Sequence, residues 1–282
     1  MTLREQIEDM SEQFTPAERQ LGAVILADYP FAGLEPIQDL SRRASVSAPS
    51  ISRFVTKLGY RGFQDFQQSL VRELREGQSS PIQLREKQAL DRTDTLGGCL
   101  ARASALTQEL ALRMPRAQFE RLVTLLGDPR RRIYLIGGRM SDSLAGFFVR
   151  HLRQIRAEAH HIPSDPELWP EYVLRLRPQD VVVIFDFRRY QARLAGLAAQ
   201  ARARRAQTVV ITDPWISPAA KGAAELVAAP IDSGTLWDSY TAAFALIEAL
   251  LVALAERDWD GTRARIEAWD ALRDSPIERT GT

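Results

Sequence analysis

Between Pro36 and Tyr60, PIQDLSRRASVSAPSISRFVTKLGY, apolar positions fall at helical spacing twice, with a short polar break between the two sets. Ile37, Leu40, Ser41 and Ala44 stand at i, i+3, i+4 and i+7, and Ile51, Phe54, Val55 and Leu58 repeat that spacing. The pattern predicts two short amphipathic helices joined at Ser45-Val46-Ser47, with Val46 as an apolar plug and Ser47 as the N-cap of the second helix. Pro49 is tolerated in a first turn, and Gly59 suits a left-handed stop. Upstream, Leu3, Ile7 and Met10 mark one helix. Thr15-Pro16-Ala17-Glu18 opens another as a capping box, with Leu21, Val24 and Ile25 inward and Tyr29-Pro30 at its end. Downstream, Phe63, Phe66 and Leu70 predict a helix that closes the small core. Residues 1–75 therefore read as an all-α helix-turn-helix domain. Residues 76–94 are polar and mixed in charge and read as a linker, most breakable at Gly77 to Pro81.

Past the linker the period changes. Leu96 to Arg113 and Pro115 to Leu126 still read as helices, but Arg132 to Gly138, Val181 to Phe185 and Thr208 to Thr212 are short continuous apolar runs, with a weaker one at Glu225 to Ala229. Helical patterns from Ser141 to Arg156 and from Tyr190 to Arg204 separate them, and His160 and His161 fall on a further strand. Buried strands alternating with helices predict an α/β doubly wound parallel-sheet domain over residues 95–282. Ligands of such sheets bind beyond the carboxyl ends of the strands, which singles out the loops 137–142, 186–191 and 212–217.

Composition narrows the class without changing this picture. A chain of 282 residues, 45% hydrophobic and 26% charged, has material for two domains, and its formal charge of +1 means that any affinity for nucleic acid must come from a local patch. From Ser41 to Gln64 the charges are Arg42, Arg43, Arg53, Lys57 and Arg61, with no acid among them. On the second helix Pro49, Ser52, Arg53 and Thr56 point away from the core, flanked by Ser50 and Lys57. A face of hydroxyls and one guanidinium suits the major groove, so Arg42, Arg43, Ser47, Ser50, Ser52, Arg53, Thr56 and Lys57 are the candidate DNA contacts. The alternative is an ordinary helical hairpin with a solvated basic face.

Other features direct function less. The amino-terminal stretch carries acids and no apolar run, and the apolar stretch from Ala242 to Ala255 contains Glu248 and is too short to cross a bilayer, which predicts a cytoplasmic protein. Cys99 is the single cysteine and shares helical spacing with Leu96, Leu106 and Leu110, so it reads as core packing. His160 and His161 point to opposite faces of a strand and His151 has no partner at i+4, so no metal and no cofactor is expected. Of the five tryptophans most read as core or interface residues, with Trp215 and Trp237 placed to wall a pocket.

These residues resemble the RpiR/MurR family of bacterial transcriptional regulators, in which a helix-turn-helix precedes a SIS (sugar isomerase) domain. FTPAERQLGAVIL and the serine-led turn, Arg53-Phe54, Lys57-Leu58-Gly59, Phe63 and Phe66 carry the first half of the likeness. RIYLIGGRMSDSLAG, QDVVVIFDFRRYQ and AQTVVITDPWISPAAKGAAELV carry the second. The resemblance implies a homodimer or homotetramer that binds operator DNA as an inverted repeat and takes a sugar phosphate or related metabolite in its second domain. Two loops depart from the family pattern. Where Ser-x-Ser-Gly-x-Thr is usual, the chain has Asp186-Phe187-Arg188-Arg189-Tyr190-Gln191. Where Gly-x-Gly-x-Ser is usual, it has Gly137-Gly138-Arg139-Met140-Ser141. Three guanidinium groups beside one carboxylate predict an anionic effector not restricted to phosphosugars, held by Gly137, Arg139, Ser141, Asp186, Arg188, Arg189 and Gln191. Asp186 would then pair an arginine or accept from a ligand hydroxyl or amine, although the arginines could equally serve ion pairs or a subunit interface. The alternative functions are a SIS-type sugar-phosphate isomerase or deaminase, and a DNA-binding structural protein without an effector.

Overall fold

The computed structural model describes residues 2–87 and 94–274. Five helices build the first unit: α1 (Leu3–Asp9), α2 (Pro16–Ala27), α3 (Ile37–Ala44), α4 (Ala48–Lys57) and α5 (Phe63–Glu76). Their starts are set by short polar residues. Thr15 and Glu18 form the capping box read from sequence, with Pro16 in the first turn, and Thr2 and Glu5 form a second one on α1. Helix α3 stops where Ser45 turns left-handed at φ 52°, and Ser47 then accepts the Ser50 N–H at 3.3 Å to start α4. The apolar positions predicted to face inward do so. Leu40, Ile51, Phe54, Val55, Phe66 and Leu70 are fully buried, and Phe14 packs against Phe54 at 5.1 Å between ring centroids. Gly33 lies so close beneath α5 that a Cβ there would stand 2.5 Å from the Leu70 side chain.

The stretch from Gly77 to Ser80 turns the chain into α6 (Pro81–Lys87). It is packed rather than loose. Ser79 is buried, and the Gly77 carbonyl accepts the Arg189 N–H at 2.7 Å. The remainder of the expected linker, 88–93, and the end of the second expected domain, 275–282, lie outside the described residues.

Helices α7 (Thr95–Arg113) and α8 (Arg116–Gly127) lead into the sheet. Then β1 (Ile133–Gly137), α9 (Asp142–Ile155), β2 (Ala159–His161), α10 (Trp169–Arg175), β3 (Val181–Phe185), α11 (Ala192–Ala203), β4 (Gln207–Thr212) and β5 (Glu225–Ala228) alternate, before α12 (Thr241–Arg257) and α13 (Trp259–Arg273). The order is β2-β1-β3-β4-β5, with every pairing parallel. Ile133, Leu135, Val181, Val183, Val209 and Ile211 face one layer, built from α7, α8, α9 and α12. Tyr134, Ile136, Val182, Ile184 and Val210 face the other, where Leu194, Leu197 and Ala198 of α11 and Trp169 of α10 pack. Burial on both faces explains why the strands read as unbroken apolar runs.

One expectation about the core fails. Cys99 is exposed, because the first turns of α7 extend beyond the layer that covers Leu106 and Leu110, leaving Leu96 72% exposed on the same stripe. Helical spacing assigns a face but not how far along the helix that face stays covered. Of the tryptophans, Trp169 is buried and Trp215 partly so, whereas Trp237, Trp259 and Trp269 are exposed.

Candidate functional sites

Helix α4 presents the face that its sequence predicted. Pro49, Ser52, Arg53 and Thr56 are exposed and Ser50 is half-buried beside them. Arg53 Nη2 donates to Ser50 Oγ at 3.0 Å, and Ser47 and Ser50 share a hydroxyl contact at 2.9 Å, which lines up guanidinium and hydroxyls at the start of the helix. The three other cations are less free than their exposure suggests. Arg42 pairs with Asp39 but keeps 80% of its side chain exposed, whereas Arg43 is held by Glu35 at 2.7 Å and Asp28 at 3.1 Å. Lys57 Nζ donates to Glu18 at 2.9 Å and to the Gln13 carbonyl at 2.8 Å, above the Phe14 ring. The stretch 41–64 has no acids, yet the fold brings Glu18, Asp28, Glu35 and Asp39 to it from outside. Of the four candidate cations Arg42, Arg43, Arg53 and Lys57, Arg53 and Arg42 are left to meet a phosphate or a base edge.

The second site forms at the reversal of strand order. β1 pairs with β2 on one side and β3 on the other, so the loops after β1 and β3 part and open a crevice. A cavity of about 510 Å³ lies there, within the size range of small-molecule sites. Of the predicted effector residues, Arg139, Ser141, Asp186, Arg188, Arg189 and Gln191 line it, whereas Gly137, the last residue of β1, is not part of the lining. Their roles diverge from what the sequence suggested. Ser141 Oγ donates to the Phe185 carbonyl at 2.7 Å and accepts the Gly138 N–H at 2.9 Å, so it ties the two loops together. Gly137 N–H is taken by Asp142, which also accepts from His161 at 2.9 Å.

Asp186 pairs with no arginine among the described residues. Its carboxylate accepts from Ser217 Oγ at 2.5 Å and from the Gln191 N–H, the N-cap amide of α11, at 3.4 Å. Burial pushes its pKa up to about 6 against those two donors. Only Arg188 of the three arginines is buried; Arg139 and Arg189 stand at the rim. The Arg188 guanidinium lies 4.3 Å over the Trp215 ring and 3.4 Å from Asp238, yet its Nε and Nη1 make no hydrogen bond among the described residues. Arg189 occupies the position where the family pattern has glycine and takes the left-handed conformation that glycine favours, φ 67°.

Sequence reasoning missed the supports of this site. Asp213, wholly buried, accepts from the Arg188 N–H at 2.6 Å, Tyr190 Oη at 2.6 Å and the Trp215 N–H at 3.0 Å, and its burial raises its pKa to about 7. Asp238 and Tyr240 line the cavity, with pKa values pushed by burial to about 6 and about 12. Asp213 and Ser217 sit in the 212–217 loop that strand direction had already singled out, but Asp238 and Tyr240 had no pattern around them. The least foreseeable wall is Ser79, Pro81 and Leu84, which come from the turn and α6. The histidines do not converge: His160 pairs with Glu158, and His151 packs on Phe147.

A helix-turn-helix with an exposed Ser–Arg–Thr face, packed against a parallel sheet with a cavity at its switch point, defines a ligand-responsive DNA-binding protein. Comparison with known proteins agrees. Residues 1–77 match the helix-turn-helix domain of the rpiR family, and residues 127–253 match the SIS domain. The chain belongs to the RpiR family of transcriptional regulators. It is 24% identical to the HTH-type transcriptional regulator HexR of Escherichia coli K12 over 217 residues, 75% of this chain and 72% of that protein. The sugar isomerase domain of an RpiR transcription factor from Sphaerobacter thermophilus superposes with a TM-score of 0.59 at 19% identity, covering 64% of this chain and all of that one. The Vibrio vulnificus NanR protein complexed with ManNAc-6P superposes with a TM-score of 0.54 at 18% identity over 96% of this chain and 97% of that one.

Proposed function

We propose that this regulator binds operator DNA through Arg53 and the hydroxyls of α4, and that a small anionic metabolite in the cavity beside Asp186 and Arg188 sets the affinity. The observation that carries the reading is the cavity's third wall. Ser79, Pro81 and Leu84 belong to the segment that leaves α5, so the tether of the DNA-binding unit is itself part of the pocket. A ligand that differs in its contacts with two positions of that segment shifts the equilibrium between them.

The regulator acts as a homodimer or homotetramer in the cytoplasm. Leu96, Leu100 and Leu112 on α7 are exposed apolar side chains that a second copy would cover. A symmetric pair of α4 helices would sit about 34 Å apart, which makes the operator an inverted repeat of that spacing.

The test is a gel shift on the DNA upstream of the gene, across a salt series. Specific binding that weakens as salt rises is expected, through release of counterions at the basic face. Absence of binding even at low salt would overturn the regulatory reading.

A further inference from the structure

The cavity floor is organised around Gly138. A Cβ built there would lie 3.3 Å from Ser141 Oγ, 3.5 Å from Asp186 Oδ1 and 3.5 Å from Gln191 Nε2, so these three groups converge on one spot below the mouth of the pocket. Helix α11 begins at the same spot, and the amino end of a helix is where a strand-to-helix loop ordinarily receives a ligand's anionic group. Here the chain supplies the anion itself. Asp186, 2% exposed, caps the Gln191 N–H and is clamped from behind by Ser217. The opposite wall supplies the reverse: Arg188, its side chain 2% exposed, has Nε and Nη1 without a hydrogen bond among the described residues, Nε being 3.4 Å from Asp238, while its flat face rests on the Trp215 ring. A buried guanidinium with donors to spare is a site for an anion, to which it gives charge-assisted hydrogen bonds.

Charge decides how much anion fits. Arg139, Arg188 and Arg189 against Asp186 and Asp238 leave the lining one positive charge in excess. A monoanion balances that excess. A phosphate ester, close to a dianion at neutral pH, overruns it and would have to settle on a floor already carrying a carboxylate.

We propose that the effector is a hydroxylated monocarboxylate held by Arg188, and that Asp186 is the specificity residue that turns phosphate esters away. This rests on the cavity being the effector site of the regulator described above.

The experiment uses the full-length protein and two matched series of probes: monocarboxylates from lactate to gluconate, and esters from glycerol phosphate to glucose 6-phosphate, read by thermal shift and titration calorimetry. At least one monocarboxylate is expected to bind the wild type, with affinity falling about tenfold or more in Arg188→Lys, which keeps the charge but loses the planar set of donors stacked on Trp215. The esters are expected to bind Asp186→Ser at least about tenfold more tightly than wild type. Both variants are checked for folding by circular dichroism, and Asp186→Asn replaces Asp186→Ser should the latter not fold. Esters binding wild type and variant alike would overturn the role of Asp186. Failure of every monocarboxylate on the wild type, or equal binding by Arg188→Lys, would overturn the role of Arg188. Operator binding is measured on the same samples: a carboxylate that binds the cavity without changing operator affinity sinks the regulatory reading and leaves the ligand assignment standing.

Discussion

Arg42 and Arg43 are neighbours in sequence with different work. Arg43 reaches back to Glu35 and Asp28, and Asp28 also receives Lys221 from the sheet domain, so this arginine belongs to a junction between the two halves. Arg42 projects into solvent. Replacing Arg42 with Ala should lower affinity for all DNA sequences alike and reduce the salt slope by about one, whereas Arg53→Ala should cost about 1–3 kcal/mol and relax preference at one base position. Fluorescence anisotropy on operator and scrambled duplexes measures both, and equal losses on the two duplexes from both changes would contradict the division. A second residue-scale prediction concerns Asp213. Its ordinary pKa of 3.8 rises to about 7 in the fold, so between those values the folded protein holds a proton that the unfolded chain has released. Its contribution to stability therefore declines as pH rises through that window and is flat above it. Urea unfolding of wild type and Asp213→Asn at pH 5 and pH 8 should show the wild type losing more stability across the interval, by up to about 1.4 kcal/mol per pH unit. A pH-independent difference between the two proteins would count against it.

At the scale of elements the sequence was most readable where one physical rule acted alone. Val181–Phe185 is strand to the residue, because burial on both faces needs nothing beyond an unbroken β-branched and aromatic run. The helix-turn-helix was equally legible, since caps at Thr15 and Ser47 and the apolar spacing of α3 and α4 are local signals. What stayed hidden depended on distant partners: Ser217 behind Asp186, Asp213 beneath Arg188, and the acids that neutralise Arg43 and Lys57. The extent of a helix's buried stripe was hidden too, which is why Cys99 misled. A packing prediction follows at this scale. Gly33→Ala forces Leu70 and Phe66 to give way, because its Cβ would meet them at 2.5 and 3.1 Å. It should cost about 1–3 kcal/mol of stability by chemical denaturation, the usual range for overpacking, while leaving the α4 face chemically unchanged.

For the whole molecule, the decisive arrangement is that the two halves share atoms at the cavity rather than merely a covalent connection. Arg189, in the loop between the floor and α11, bonds the Gly77 carbonyl, and a Cβ at Gly77 would stand 2.9 Å from Tyr190 Oη and 3.3 Å from Trp215 Cβ. Tyr190 cannot yield easily, because its hydroxyl is fixed on Asp213. Gly77→Ala should therefore separate the two activities. Ligand affinity and operator affinity, each measured alone, are expected to stay within about threefold of wild type, while the effect of ligand on operator binding falls, a loss of coupling free energy of the usual 1–3 kcal/mol size. Unaltered coupling in the titration of operator complexes with ligand would refute this.

The bond from Arg189 to Gly77 also has a genetic reading. A signal that crosses between the halves at the Gly77 turn exposes a small mutational target. In a screen for cells whose target genes no longer respond to the effector, losses of DNA binding should scatter through the first 75 residues, and losses of ligand binding should gather around Asp186 and Arg188. Effector-blind alleles that still occupy the operator should fall in a third, narrow group, from Gly77 to Leu84.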